Sequence, residues 1–244
     1  MVMRTAVITG SSRGIGRAIA FRLAHDGCNI VVNCSRSGDE LEETIAAIER
    51  IGVRAIGVQA DVSEPSGCDR LIGAALERFG SIDVLVNNAG RAHVGLFSDM
   101  RPEEIADVVS VNLLSAMYCA RLCVPVMVRR RHGSIINISS MWGSAGASCE
   151  AVYSGAKGGV NAFTKALAKE LGPSGVRVNA ISCGVIDTGM NAFLSPQEAD
   201  GLAEQIPLSR FGSAAEVAEA AAFLASDAAS YVTGQILGVD GGMM

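Results

Sequence analysis

The stretch Thr5-Ala6-Val7-Ile8-Thr9-Gly10-Ser11-Ser12-Arg13-Gly14-Ile15-Gly16 decides how the chain is read. A short apolar run enters a glycine-rich turn, and a helical pattern begins at Ile15. The glycines permit a tight turn and let a ligand approach the backbone. The helix start presents unpaired N–H groups and the positive end of a dipole, which suits a pyrophosphate. An ordinary glycine-rich strand-to-helix turn is the bland alternative. Placement directly after the first strand and before a helix favours a dinucleotide site.

The same alternation continues outward from this motif. Strand-like apolar runs fall at Thr5 to Thr9, Ile30 to Asn33, Ala55 to Val58, Val84 to Asn87, Ser134 to Ser139, Arg177 to Ile181 and Gln235 to Val239. Most are continuous, as expected of strands buried on both faces of a parallel sheet. Helical patterns lie between them, at Ile15 to Asp26 (stopping at Gly27), Asp39 to Ile51, Asp69 to Phe79, Pro102 to Arg130, Val152 to Leu171 and Ala214 to Ser226. The alternation predicts an α/β fold: a doubly wound parallel sheet of about seven strands with helices on both faces. The 244 residues fit a single domain, 1–244, with no repeat or linker. The stretch 188–207 lacks core periodicity and is expected to form a flap over the pocket.

Bulk properties exclude several functions. Hydrophobic residues make up 49%, and the net charge is −5, which offers no attraction for nucleic acid or an anionic membrane. Arg129-Arg130-Arg131 reads as a solvated helix end or as a docking point for a partner. Cys28, Cys34, Cys68, Cys119, Cys123, Cys149 and Cys183 are odd in number and lack a CxxC pair, so reduced thiols in the cytoplasm are expected. His25, His93 and His132 have no metal-ligand spacing, and no metal is expected. Neither a signal peptide nor an apolar run of membrane-spanning length is expected.

Further motifs follow in order. Asp61-Val62 ends the third strand, and Asn87-Asn88-Ala89-Gly90 ends the fourth. Asn112 follows in Ser110-Val111-Asn112, then Ser140, then Tyr153 and Lys157 four residues apart, then Asp240-Gly241-Gly242. With the GxxxGxG turn, this set resembles the classical short-chain dehydrogenase/reductase family over essentially the whole chain. The resemblance implies a Rossmann-type fold and a nicotinamide dinucleotide. It implies contacts from Gly10, Ser12, Arg13, Gly14, Ile15 and Gly16, from Asp61 and Val62 near the adenine, and from Asn88, Ala89 and Gly90. Ile186 and Thr188 would lie on the nicotinamide side. Tyr153 would protonate the alkoxide, and Lys157 would lower its pKa and bind the nicotinamide ribose. Ser140 would bind the substrate oxygen, and Asn112 would hold a water linked to Lys157. Ser139 reads as a structural hydroxyl.

The residues also argue directly. A tyrosine titrating near 10 is a poor catalyst at neutral pH. A lysine one helical turn away stabilises its phenolate. The second strand ends Asn33-Cys34-Ser35-Arg36 without an acid to accept from a ribose 2′-hydroxyl. Ser35, Arg36 and Arg13 suit a 2′-phosphate, which favours NADP(H). Arg36 as a plain loop residue is the alternative. Cys183-Gly184 stands where the family usually has Pro-Gly, and loss of the proline is expected to loosen the following loop.

Within the family the chain is similar to 3-oxoacyl-acyl-carrier-protein reductases. Arg131 matches a carrier-docking position, while Ser174 leaves a second one neutral. Ser140-Met141-Trp142-Gly143 and Gly146-Ala147-Ser148-Cys149-Glu150 resemble instead reductases of the 5-aminopentanone group on elongation factor P. There Glu150 would pair with a substrate ammonium; a solvated or interface carboxylate is the alternative. The resemblance also implies a homotetramer. A non-catalytic NADP(H)-binding sensor is the reading from a different class.

Overall fold

The computed structural model describes residues 3–189 and 194–244. The elements run β1 (Thr5–Ile8), α1 (Gly14–His25), β2 (Asn29–Cys34), α2 (Gly38–Glu49), β3 (Ala55–Gln59), α3 (Pro65–Phe79) and β4 (Val84–Asn87). They continue with α4 (Pro102–Val109), α5 (Ser115–Arg130), β5 (Gly133–Ser140), α6 (Trp142–Ala145), α7 (Ala151–Leu171) and β6 (Val176–Cys183). The last are β7 (Ile186–Asp187), α8 (Pro196–Ala203), β8 (Gly212–Ser213), α9 (Ala214–Ala225) and β9 (Ile236–Val239).

Seven strands form one sheet in the order β3-β2-β1-β4-β5-β6-β9, with every pairing parallel. The order reverses between β1 and β4, so the carboxyl ends of these strands open a crevice there. Strand alternation sorts the core into two layers. Ala6, Ile8, Ile30 and Val32 face Ile19 and Leu23 of α1, Leu41 and Ile48 of α2, and Val217 and Ala221 of α9. Val7, Val31, Leu85 and Ile135 face Leu71 and Ile72 of α3, Cys119, Cys123 and Met127 of α5, and Ala168 and Leu171 of α7. Each large side chain so buried stabilises the fold by about 1.5–3 kcal/mol.

The structure departs from the sequence reading in several places. α3 begins at Pro65, not Asp69, because proline suits the first helical position. The helix expected over Pro102 to Arg130 is continuous but passes through a π turn at Ser110–Leu114. By length and composition, with mean hydropathy 1.6 in its best window, that 29-residue helix could cross a membrane. The expectation that no such run exists is thereby corrected. Its Cys119, Ala120, Cys123 and Met127 face is buried on the sheet, as in the core helix of a globular domain. A two-stranded ladder, β7–β8, was not foreseen. Residues 190–193 of the expected flap lie outside the described residues. The rest of it carries α8, whose start is fixed by a reciprocal Ser195–Glu198 capping box.

Six of the seven cysteines are buried, Cys149 is half-buried, and all are free thiols. In the basic run, Arg130 forms a 2.9 Å ion pair with the buried Asp83. Arg131 caps α5 in the left-handed region and donates to the Pro173 carbonyl. The run is thus partly structural.

Candidate active site

Hydrogen bonds from β4 hold the glycine turn. Asn88 Nδ2 donates to the carbonyls of Thr9 (2.9 Å) and Gly10 (2.8 Å), and Thr9 Oγ1 accepts from the N–H groups of Asn88 and Ala89. Gly10 N–H donates to Asn33 Oδ1, which ties the turn to β2. Gly16 packs so closely that a Cβ there would stand 2.4 Å from the Gly10 carbonyl oxygen. Gly14 has φ +56° and faces open space, with only Thr188 near, at 3.9 Å from the position of a Cβ. This bare cradle opens at the N-terminus of α1, where Arg13 is the N-cap without a side-chain cap and Ile15 is half-buried.

The residues that end β2 and follow β3 lie beyond the turn. Ser35 and Arg36 are exposed beyond β2, and Val62 is buried beneath Asp61. Asp61 accepts from Ser63 N–H and Oγ, which holds its carboxyl below the usual range; Arg36 and Arg91 add to this. An acid that the strand-end pattern did not reveal also stands here. Glu40, in the first turn of α2, accepts from Ser12 Oγ at 3.3 Å and lies 4.0 Å from Arg13.

The opposite end of the crevice holds the chemistry-bearing side chains. Tyr153 is buried close to Ser140, which holds its phenol down against the effect of burial. Ser140 Oγ also accepts from Trp142 N–H at 3.2 Å. Lys157 is 4% exposed, and its Nζ donates to the Ile138 carbonyl at 2.8 Å. It lies 5.6 Å from the centre of the Tyr153 ring. Burial lowers Lys157 to about 8. Burial also pushes Tyr153 above its ordinary value; Ser140 opposes the rise, and Cys183 and Glu150 add to it. The Lys157 ammonium is meanwhile turned to the Ile138 carbonyl. Ser139 Oγ donates to the Lys157 carbonyl, which fits a structural hydroxyl.

Asn112 is buried in the π turn. Its Oδ1 accepts from Arg91 N–H at 3.2 Å, and its Nδ2 donates to the Arg91 and Val108 carbonyls, both at 2.9 Å. The amide thus clamps the loop after Gly90. A Cβ at Gly90 would meet Asn112 Oδ1 at 2.6 Å and Lys157 Nζ at 3.4 Å, so glycine is required there. Sequence patterning alone did not reveal the hold on Arg91.

Cys183 does not begin a loose loop. β6 continues through it, in register with Ser140 on one side and Val239 on the other. The Cys183 carbonyl accepts from Met141 N–H at 2.9 Å, and Gly184 N–H donates to the Val239 carbonyl at 2.9 Å. Burial pushes its thiol up to about 12. Ile186 is buried, and Thr188 lies across from the glycine turn. Glu150 is the half-buried N-cap of α7, and burial raises its carboxyl. The preceding Cys149 has φ +63°, and its carbonyl accepts from Gly95 N–H at 2.8 Å. The loop after β4 and the start of α7 thus meet at one rim. A glycine cradle at a helix start, with a buried ammonium beside Gly90, fits a dinucleotide.

The family model described as enoyl-(acyl carrier protein) reductase matches residues 10–244. An oxidoreductase of Bacillus subtilis called YmfI, described as uncharacterized, is 41% identical over 240 residues, 98% of each chain. The 3-oxoacyl-[acyl-carrier-protein] reductase FabG of Staphylococcus aureus is also 41% identical, with 98% of each covered. A crystal structure of an actinorhodin polyketide ketoreductase variant with NADPH superposes with a TM-score of 0.94 at 36% identity, covering 99% of this chain and 97% of that one. The chain belongs to the short-chain dehydrogenase/reductase family. It is an oxidoreductase acting between CH–OH and C=O groups.

Proposed function

We propose that the chain is an NADP(H)-dependent reductase that converts a ketone to a secondary alcohol, with a carrier-bound 3-oxoacyl group as the leading substrate. The observation that carries this reading is the buried trio of Ser140, Tyr153 and Lys157, with the Lys157 ammonium 5.6 Å from the centre of the Tyr153 ring and 3.4 Å from the place of a Cβ on Gly90. Bound NADPH supplies hydride for the carbonyl carbon. Ser140 and Tyr153 hold the carbonyl oxygen between their hydroxyls, and Tyr153 gives it a proton. Lys157, freed from Ile138, supplies the positive charge that stabilises the resulting phenolate. Asn112 keeps the loop after Gly90 in place. Gly10, Ser12, Gly14, Ile15 and Gly16 hold the pyrophosphate side, while Asp61, Val62, Asn88, Ala89, Gly90, Ile186 and Thr188 line the rest.

The NADP(H) assignment rests on Arg13, Ser35 and Arg36 and on the absence of an acid at the end of β2. Arg13→Ala and Arg36→Ala are each expected to weaken NADPH by about 1.5–3 kcal/mol and to leave NADH nearly unchanged. Titrations of both cofactors read this directly. Equal weakening of the two would refute the assignment.

Half-buried Glu150 favours a second substrate, the aminoketone of the 5-aminopentanone modification on elongation factor P. A carboxylate at the rim pairs with the ammonium end of such a substrate and repels an acidic carrier. Glu150→Gln should raise KM severalfold for a cationic aminoketone and leave a neutral ketone of similar size nearly unchanged. Steady-state rates with an aminoketone and an acetoacetyl thioester decide between the substrates. Unchanged aminoketone kinetics in the variant would eliminate the second reading.

Seven thiols without a disulfide among the described residues support a cytoplasmic setting. The open edge of β9 and exposed Val94, Leu96 and Phe97 support a homotetramer. Sedimentation reads that state; a monomer would refute it.

A further inference from the structure

Asp39 and Glu40 lie in the first turn of α2, where acids commonly answer the helix dipole. Glu40 does more than that. Its side chain reaches to the glycine turn. Oε2 accepts from Ser12 Oγ at 3.3 Å, and Oε1 lies 4.0 Å from Arg13 Nη1. One helical turn on, Thr44 Oγ1 shares its single proton between the Glu40 carbonyl at 2.8 Å and the Ser12 carbonyl at 3.2 Å, so this edge of α2 sits against the turn. Ser12 is 6% exposed and Thr44 fully buried, which anchors the carboxylate at a defined place.

We propose that Glu40 is a specificity-determining residue: its carboxylate, held on Ser12, stands beside Arg13, one of the groups that would receive a 2′-phosphate, and so limits the preference for NADPH over NADH. This rests on the reading of Arg13 and Arg36 as the 2′-phosphate side. Two effects could act. Arg13 must leave Glu40 to meet the phosphate, but an exposed pair at 4.0 Å is weak, with side chains 79% and 44% exposed. Repulsion between the carboxylate and a dianion seated on Arg13 is larger, because the phosphate carries two charges, and it persists whatever Arg13 does. The second effect therefore dominates. A ribose 2′-hydroxyl carries no charge and meets no such penalty.

Glu40→Gln keeps an acceptor for Ser12 and removes the charge. It is expected to tighten NADPH about three- to tenfold and to change NADH by less than about twofold. Raising ionic strength from about 0.05 M to about 0.5 M should shrink the NADPH gain, since exposed charges are screened. Glu42→Gln removes the same charge from the exposed side of α2 and should leave both dissociation constants in place. Should Glu40→Gln fold poorly by thermal melting, Glu40→Ala carries the same expected direction. If Arg13→Ala selectively weakens NADPH while neither Glu40 variant tightens it, the role of Glu40 is overturned and the cofactor reading stands. If Arg13→Ala and Arg36→Ala weaken both cofactors equally, both inferences fall.

Discussion

Tyr153→Phe is expected to lower kcat for ketone reduction by about 10²–10⁴-fold while leaving NADPH affinity within roughly twofold. The substitution removes one hydroxyl and keeps the ring that packs at the start of α7. Ser140 Oγ retains its contact with Trp142 N–H, so the neighbouring hydroxyl is not left unpaired. The stability cost should accordingly be about 1 kcal/mol, that of one ordinary hydrogen bond. Stopped-flow oxidation of bound NADPH isolates the chemical step from product release. A variant with near-native single-turnover rates would show that the proton comes from elsewhere, and Tyr153 would lose its role. A variant that instead fails to bind NADPH would move Tyr153 from proton donor to cofactor support.

The strands were legible because burial on both faces demands continuous apolar runs, and Val84 to Asn87 or Thr5 to Ile8 admit few other readings. The spacing of Tyr153 and Lys157 was legible because a helix fixes which side chains share a face. What was lost is mostly non-local. Nothing in the pattern of Asp39 to Ile51 says that Glu40 reaches back to Ser12; only the packing of α2 on the glycine turn creates that contact. The π turn at Ser110–Leu114 lies within a helical pattern that reads as unbroken from Pro102 to Arg130, so it was not seen in the sequence, and Asn112 within it holds Arg91. The start of α3 was obscured because Pro65-Ser66-Gly67 reads as a turn. A Cβ at Gly67 would stand 1.9 Å from the Asp61 carbonyl oxygen, so that glycine serves close packing within the helix. The surroundings of Lys157 were hidden for a different reason. Sequence spacing gives the separation of two groups, not which partner a flexible ammonium chooses.

Lys157→Met is expected to abolish most reduction, by about 10²–10⁴-fold, and at the same time to stabilise the protein at pH 7 by about 1–2 kcal/mol. The ammonium is buried and holds one backbone carbonyl, so the fold bears the cost of desolvating a charge. Methionine fills a similar volume without that charge, although the hydrogen bond to Ile138 is lost and offsets part of the gain. The lowered titration of Lys157, about 8 against an ordinary 10.5, fixes the pH window. Below pH 8 both folded and unfolded chains carry the proton, and the penalty is fully present. Between about 8 and 10.5 the unfolded chain binds more protons than the folded one, so stability rises with pH. Tyr153, raised above 10, works in the opposite sense only beyond pH 10, where unfolded phenols begin to lose protons that the folded one keeps. Melting temperatures of the native protein should therefore climb relative to those of Lys157→Met between pH 8 and 10, and the two should converge. If the variant is less stable at pH 7 and tracks the native protein across that window, the lysine is not held at a cost. Its burial would then be a structural contact, and the trade of stability for chemistry inferred at this site would be wrong.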